Sequence, residues 1–262
     1  MNLLFFRRFL VLLPLFWIVQ TGALAQISTD AGLTPAQDRW IARTQYRMMG
    51  MENSMMKTNV QMVPVVLGYG ITSGISIMAR SVYVHKSYSN SEEVNQGIND
   101  FYLLSKFRLF RKNTSKYTFG VAPYVASNIP IGSKEVSDRT WNPEVGLNIS
   151  FRPRFLSLDI STSYTFVDVA EKISTEHITE YNLDISFSGK IPIGAKSSQI
   201  ISPVTEFNFS GDSDLLFISP GISYMHTSLA IEALYQIPVY ELEKPGQMNH
   251  TSRWIIGLKY LF

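Results

Sequence analysis

From residue 38 to residue 262 the chain repeatedly alternates apolar and polar residues over stretches of about ten, a length and period that suit membrane-spanning strands. In DRWIARTQYRM (38–48), Trp40, Ala42, Thr44, Tyr46 and Met48 share one side of an extended backbone. Arg39, Ile41, Arg43, Gln45 and Arg47 share the other. INDFYLLSKFRLF sets Phe101, Leu103, Ser105, Phe107 and Leu109 against Asp100, Tyr102, Leu104, Lys106 and Arg108. WNPEVGLNISF, FLSLDISTSYTF and ITEYNLDISFS repeat the pattern; their polar sides hold Glu144, Asn148, Ser150, Asp159, Glu180 and Asp184. A β-sandwich also alternates, but its strands usually run about five or six residues. Here the strands are longer, and their apolar sides tend to end in aromatics such as Trp40, Tyr83, Phe166 and Tyr260, as at a membrane interface.

Composition supports a membrane barrel over a secreted sandwich. Aromatics make up 13% and charged residues 17%, against roughly 25% charged in ordinary soluble domains. Residues 1–25 read as a secretory signal peptide: Arg7 and Arg8, an apolar run from Phe9 to Val19, then Ala23-Leu24-Ala25 before the expected mature start at Gln26. The run is interrupted by Pro14 and is short for a spanning helix, and no later segment approaches the roughly 20 apolar residues that a helix needs. With no cysteine, thiolate metal sites and disulfides are excluded. A net charge of +2 gives no footprint for nucleic acid.

The expected architecture is all-β: a transmembrane antiparallel up-and-down β-barrel of about twelve strands, with ten or fourteen as alternatives. Its spans are 38–48, 58–69, 75–86, 98–110, 116–128, 142–152, 155–167, 178–188, 200–209, 215–226, 228–240 and 251–262, preceded by a periplasmic segment over 26–37. Tight turns at 70–74, 111–115, 152–154 and 226–227 alternate with longer polar loops around 87–97, 129–141, 168–177 and 241–250, as periplasmic turns and outer loops do. The 189–199 turn is long for the inner side, and the 211–214 loop is short for the outer side. The final strand, IIGLKYLF, carries Ile256, Leu258, Tyr260 and Phe262 on one face. It is expected to close the barrel against the first strand, to meet outer-membrane lipid, and to offer Phe262 to the barrel assembly machinery.

Alternation also segregates charge on the inward face. Arg39, Arg43, Arg47, Arg80, Lys106, Arg108, Arg253 and Lys259 fall on the first, third, fourth and last strands. Glu144, Asp159, Glu180, Asp184, Glu206 and Glu232 fall on the sixth to ninth and eleventh. These are the candidate pore-lining residues. Two readings follow: a basic wall facing an acidic one across a pore, orienting dipolar solutes, or ion pairs that fill a narrow lumen.

Catalysis is weakly supported. His250-Thr251-Ser252 places His and Ser at the spacing used by a barrel phospholipase, on the lipid-facing parity, but the Asn-Gly that follows in that motif is replaced by Arg253-Trp254 and no orienting third group is evident. His226-Thr227-Ser228 spans a turn. The four histidines, His85, His177, His226 and His250, lack ligand spacing, so no metal or other cofactor is expected. The methionines from Met48 to Met62 suit an adaptable apolar lining better than a copper site.

Short stretches resemble the outer-membrane transporter family of the phenol meta-cleavage degradation pathway: WIARTQYR (40–47), YGIT (69–72), GINDF (97–101) leading into LLSKFRLFR, and IPIG (129–132). The resemblance implies an outer-membrane barrel passing small, often hydrophobic or aromatic, compounds without a cofactor. It transfers no catalytic or binding residue. The basic first strand departs from it and suits polar cargo equally well. A channel or transporter for a small-molecule solute is the expected function, with a plugged structural or surface-interaction barrel as the alternative.

Overall fold

The computed structural model describes residues 31–52, 56–89, 91, 93–137, 139–167, 178–193, 199–211, 214–242 and 249–262. The expected signal peptide and the whole of the 168–177 loop lie outside these. Fifteen strand segments form a closed antiparallel barrel of 12 strands, because two strands are broken into pieces. In chain order they are β1 (Trp40–Glu52), β2 (Lys57–Gly70), β3 (Ile75–Tyr88), β4 (Val94–Ile98, Phe101–Phe107 and Phe110–Asn113), β5 (Tyr117–Ile129) and β6 (Pro143–Pro153). They continue with β7 (Leu156–Val167), β8 (Ile178–Gly189 with Ile191–Ile193), β9 (Gln199–Ser210), β10 (Leu215–His226), β11 (Leu229–Glu241) and β12 (Asn249–Leu261).

Each strand pairs with its sequence neighbours, and β12 pairs with β1 to close the ring. Arg43 lies opposite Lys259, and the Phe262 N–H donates to the Trp40 carbonyl at 3.0 Å. Closure leaves no open edge, the condition for a sheet in lipid. The alternating faces settle as expected: Trp40, Leu67, Tyr83, Val125, Tyr164, Phe166, Trp254, Ile256 and Tyr260 are exposed on the outside. Asn148, Ser150, Ser157, Asp159, Ser186, Glu206, Ser219 and Glu232 are buried inside. Aromatic rings meet on this outer surface, Trp40 with Tyr69 and Tyr235 with Trp254, both at 4.7 Å between centroids.

Bulges produce the departures from the expected spans. β4 begins at Val94, inside the segment expected as loop, and carries one extra residue between Ile98, opposite Tyr83, and Tyr102, opposite Arg80. A second extra residue sits between Lys106, opposite Tyr124, and Phe110, opposite Val121. Leu109 and Phe110 therefore both face outward, which strict alternation does not allow. The long inner turn after residue 189 is partly strand, since Ile191–Ile193 continues the pairing with β9.

The upper bulge in β4 gives the outer loop between β5 and β6 a seat. The Ser133 N–H donates to the Ile98 carbonyl at 2.7 Å, the Ile98 N–H to Ser133 Oγ at 3.1 Å, and the Gly132 N–H to Asp100 Oδ1 at 2.9 Å. A Cβ on Gly97 would stand 2.5 Å from Ser133 Cβ, and one on Gly132 2.7 Å from the Asp100 nitrogen. The GINDF and IPIG stretches are thus the two halves of one loop-docking contact. Gly132→Val should lift this loop without opening the barrel: limited proteolysis within 130–142 should accelerate, while the heat-dependent gel shift of a folded barrel persists.

Candidate permeation path

A narrow barrel must pack its interior or leave it wet. This one does both. On one side of the lumen, Val204 of β9, Leu234 of β11 and Ile255 of β12 form a dry cluster, each at most 5% exposed. The other side, from β1 round to β8, keeps a chamber of about 280 Å³. Arg43, Val66, Met78, Arg80, Tyr102, Leu104, Tyr124, Glu144, Asn182 and Asp184 are among its walls.

In the chamber Arg43 of β1 and Arg80 of β3 share the lining with Glu144 of β6 and Asp184 of β8. Neutral donors reach three of the inward acids. Tyr102 and Tyr124 donate their hydroxyls to the two oxygens of Glu144, at 3.0 and 2.6 Å. Asn208 donates to Asp184 at 2.8 Å, and Ser186 to Glu206 at 3.2 Å. On the basic wall, the Arg80 guanidinium lies 4.2 Å from the Tyr102 ring centroid, a cation–π contact. Arg47 donates through Nε to Gln45 Oε1 at 2.8 Å.

The lower mouth is crossed by residues 31–36, which belong to the segment expected ahead of the barrel. Its backbone is tied to the inner wall. The Gly32 N–H donates to Ser150 Oγ at 2.8 Å, Lys106 Nζ to the Ala31 carbonyl at 2.9 Å, and Arg108 Nη2 to Thr34 Oγ1 at 2.8 Å. Ala31 and Thr34 are buried. Gly120 of β5 makes room for the crossing, for a Cβ there would stand 2.6 Å from Leu33. Asp38, with φ 59°, then turns the chain into β1, its N–H on the Gly70 carbonyl at 2.9 Å.

Beside this strap sits a fully buried ion pair. Arg152 Nη2 reaches both oxygens of Asp159 at 3.0 Å, and Ser150 and Ser157 donate to the same carboxylate. The two charged side chains are 2% and 0% exposed. Sequence reasoning assigned Arg152 to a turn, although its parity with Asn148 and Ser150 places it in the lumen. The same parity would have found Tyr102, Tyr124 and Asn208, which only a search confined to charges overlooks.

Of the sequence candidates, Arg43, Arg80, Glu144 and Asp184 line the chamber. Lys106, Asp159, Glu206, Glu232 and Lys259 are buried in the surrounding lumen. Arg47 packs on inward-facing Gln45, and Glu180 lies further up β8, opposite Thr165. Arg253 stacks over the buried ring of Phe217 at 3.9 Å, above the chamber. Arg108 holds the strap. Arg39 is exposed at the rim before β1.

The expectation that His250 and Ser252 share the lipid face fails. A bulge opposite Gly50 puts Thr251 and Ser252 where the ladder has room for one residue. His250 turns inward, its Nδ1 2.7 Å from Glu241 Oε1 and its ring edge-on to Phe217. Ser252 stays exposed and receives the Tyr235 hydroxyl at 2.7 Å. A base and a nucleophile on opposite faces of a sheet cannot act together. Among the described residues no group of three or more His, Cys, Asp or Glu side chains could hold a metal ion.

No family model and no curated protein sequence matches the chain. Solved structures do. The chain is similar to the COG4313 outer membrane channel from Pseudomonas putida F1, at TM-score 0.59 and 11% identity over 90% of this chain and 100% of that one. Weaker likenesses reach the KdgM porin (TM-score 0.48, 12% identity, covering 84% and 99%) and the Ralstonia pickettii toluene transporter TbuX (0.44, 10%, 88% and 91%). At such identities the likeness is one of fold: the closed barrel of bacterial outer-membrane proteins. With its apolar exterior and closed ladder, the chain is an outer-membrane β-barrel.

Removing one partner from a buried ion pair leaves an uncompensated charge, at a cost of roughly 3–5 kcal/mol. Arg152→Met should therefore lower the urea midpoint of barrel unfolding strongly. Arg152→Met combined with Asp159→Leu should recover much of the loss. Equal stability of wild type and Arg152→Met would remove the pair from the account of the lower mouth.

Proposed function

We propose that this protein is a passive outer-membrane channel for small solutes, its path running along the β1–β8 side of the lumen. The observation that carries this reading is the polar chamber inside the barrel, lined by Arg43 and Arg80 together with Glu144 and Asp184. A structural barrel has no need of such a space. The strap over the lower mouth and the docked outer loop above narrow both approaches, so the resting conductance is small and solutes pass singly. The fold shared with a known channel and the short stretches resembling the meta-cleavage transporter family support the same reading. They favour compounds of single-ring size, for which Val66, Met78 and Leu104 supply an apolar wall. Membrane lipid meets the exposed aromatics, and the β12 strand ending at Phe262 is the element offered to the assembly machinery.

The strap also gives form to the plugged-barrel alternative, and planar-bilayer recording separates the two. The refolded chain 26–262 should give small discrete steps, and a variant lacking 31–36 several-fold larger ones. Silence from both, with folding verified, would establish a plug that is not the strap and would overturn the channel reading. In the strapless variant, Arg43→Gln with Arg47→Gln should move the reversal potential in a salt gradient toward cation selectivity. No movement would displace these arginines from the path.

A further inference from the structure

We propose that the chamber contains a carboxylate subsite centred on Arg80, selective for small organic monocarboxylates with an apolar body. This deepens the channel reading by naming the solute, and rests on that reading only for its role in transport.

The subsite follows from an imbalance in how the two walls are satisfied. Arg80 is exposed to the chamber. Its one described partner is the Tyr102 ring, whose centroid lies 4.2 Å from the guanidinium carbon. Among the described residues its N–H groups meet no acceptor. Glu144, one of the two acids that line the chamber with Arg80, is already occupied by the hydroxyls of Tyr102 and Tyr124. The Tyr102–Glu144 bond thereby fixes the ring on which Arg80 lies. A guanidinium held over an aromatic face has N–H groups left to offer, and these match a carboxylate in bidentate geometry. A lysine could not make both contacts.

Neighbouring charge is mixed: Arg43 and Asp184 also line the chamber, and Arg47 lies within electrostatic range of Asp184 and Glu206 as well as of Arg80. Arg47 donates to the neutral Gln45. The pull on an anion is therefore local to the Arg80 guanidinium edge, where the bidentate match is made. Val66, Met78 and Leu104 complete the chamber beside Arg80 with apolar surface. The volume of about 280 Å³ lies just under the roughly 300–1,000 Å³ of pockets that take drug-sized ligands. A carboxylate on one aromatic ring or a short acyl chain fits; an oligosaccharide does not.

Benzoate and its neutral isostere benzamide provide the test, by titration calorimetry against the detergent-refolded chain 26–262. Benzoate should bind, and benzamide should bind at least about tenfold more weakly, the worth of one charge-assisted hydrogen bond. Arg80→Gln should weaken benzoate by a similar factor and leave benzamide unchanged. Arg80→Lys, a folding control that keeps the charge, should fall between. Equal binding of the two ligands by the wild-type chain would overturn the subsite without recourse to any variant, as would benzoate binding unaffected by Arg80→Gln. Benzoate binding by a barrel that is silent in bilayers, even without its strap, would uphold the subsite and reject the channel. Conductance with no benzoate binding would do the reverse.

Discussion

A sheet in a bilayer has no water to satisfy its backbone, so every strand must find two neighbours. The remainder of this structure depends on the join between β1 and β12 that meets this demand, running from Ile41 opposite Leu261 up to Glu52 opposite Asn249. Once the ring is closed, side chains have two destinations, lipid or lumen. The period of two sorts them, placing Trp254 and Ile256 outside and Ile255 inside on the same strand. Closure also draws the basic β1 and β12 together, so Arg43 and Lys259 lie side by side in the ladder. The electrostatic asymmetry of the lumen therefore follows from the same pairing that makes the barrel possible.

Twelve strands enclose too little space for a wide aqueous pore and too much for side chains alone to fill neatly. The protein divides the interior. Val204, Leu234 and Ile255 fill one side as a small soluble core would. The strap occupies the lower mouth, and a polar chamber remains against β1–β8. Arg152 and Asp159 are closed upon each other beside the strap, whereas in the chamber Glu144 accepts from two tyrosine hydroxyls and Arg80 lies over the ring of one of them.

Most of the ring was legible from sequence, because alternation is a local property and lipid enforces it strand by strand. β5, β6, β7 and β10 lie within a residue of their expected limits. The misplacements share a cause. Each bulge, at Asn99–Asp100, Arg108–Leu109, Val239 and Thr251–Ser252, inserts a residue that changes parity, and nothing in the local pattern marks it. His250 was assigned to lipid and faces the lumen for this reason, which also dissolves the one arrangement resembling a catalytic pair. The strap was illegible on other grounds. Residues 31–36 carry no period, and their seat is built from Lys106, Gly120 and Ser150, far away in sequence.

By itself the sequence determined that this chain alternates, that its apolar faces belong in lipid, and that its inward charges divide between basic and acidic strands. These are consequences of residue order along single strands. Only the tertiary structure decided which charges neutralise one another, where the lumen is dry, what crosses its mouth, and that Arg80 rests on Tyr102 with its N–H edge unused. Those outcomes depend on distances across the barrel, between residues that strand periodicity places on the same inward side and leaves otherwise unrelated.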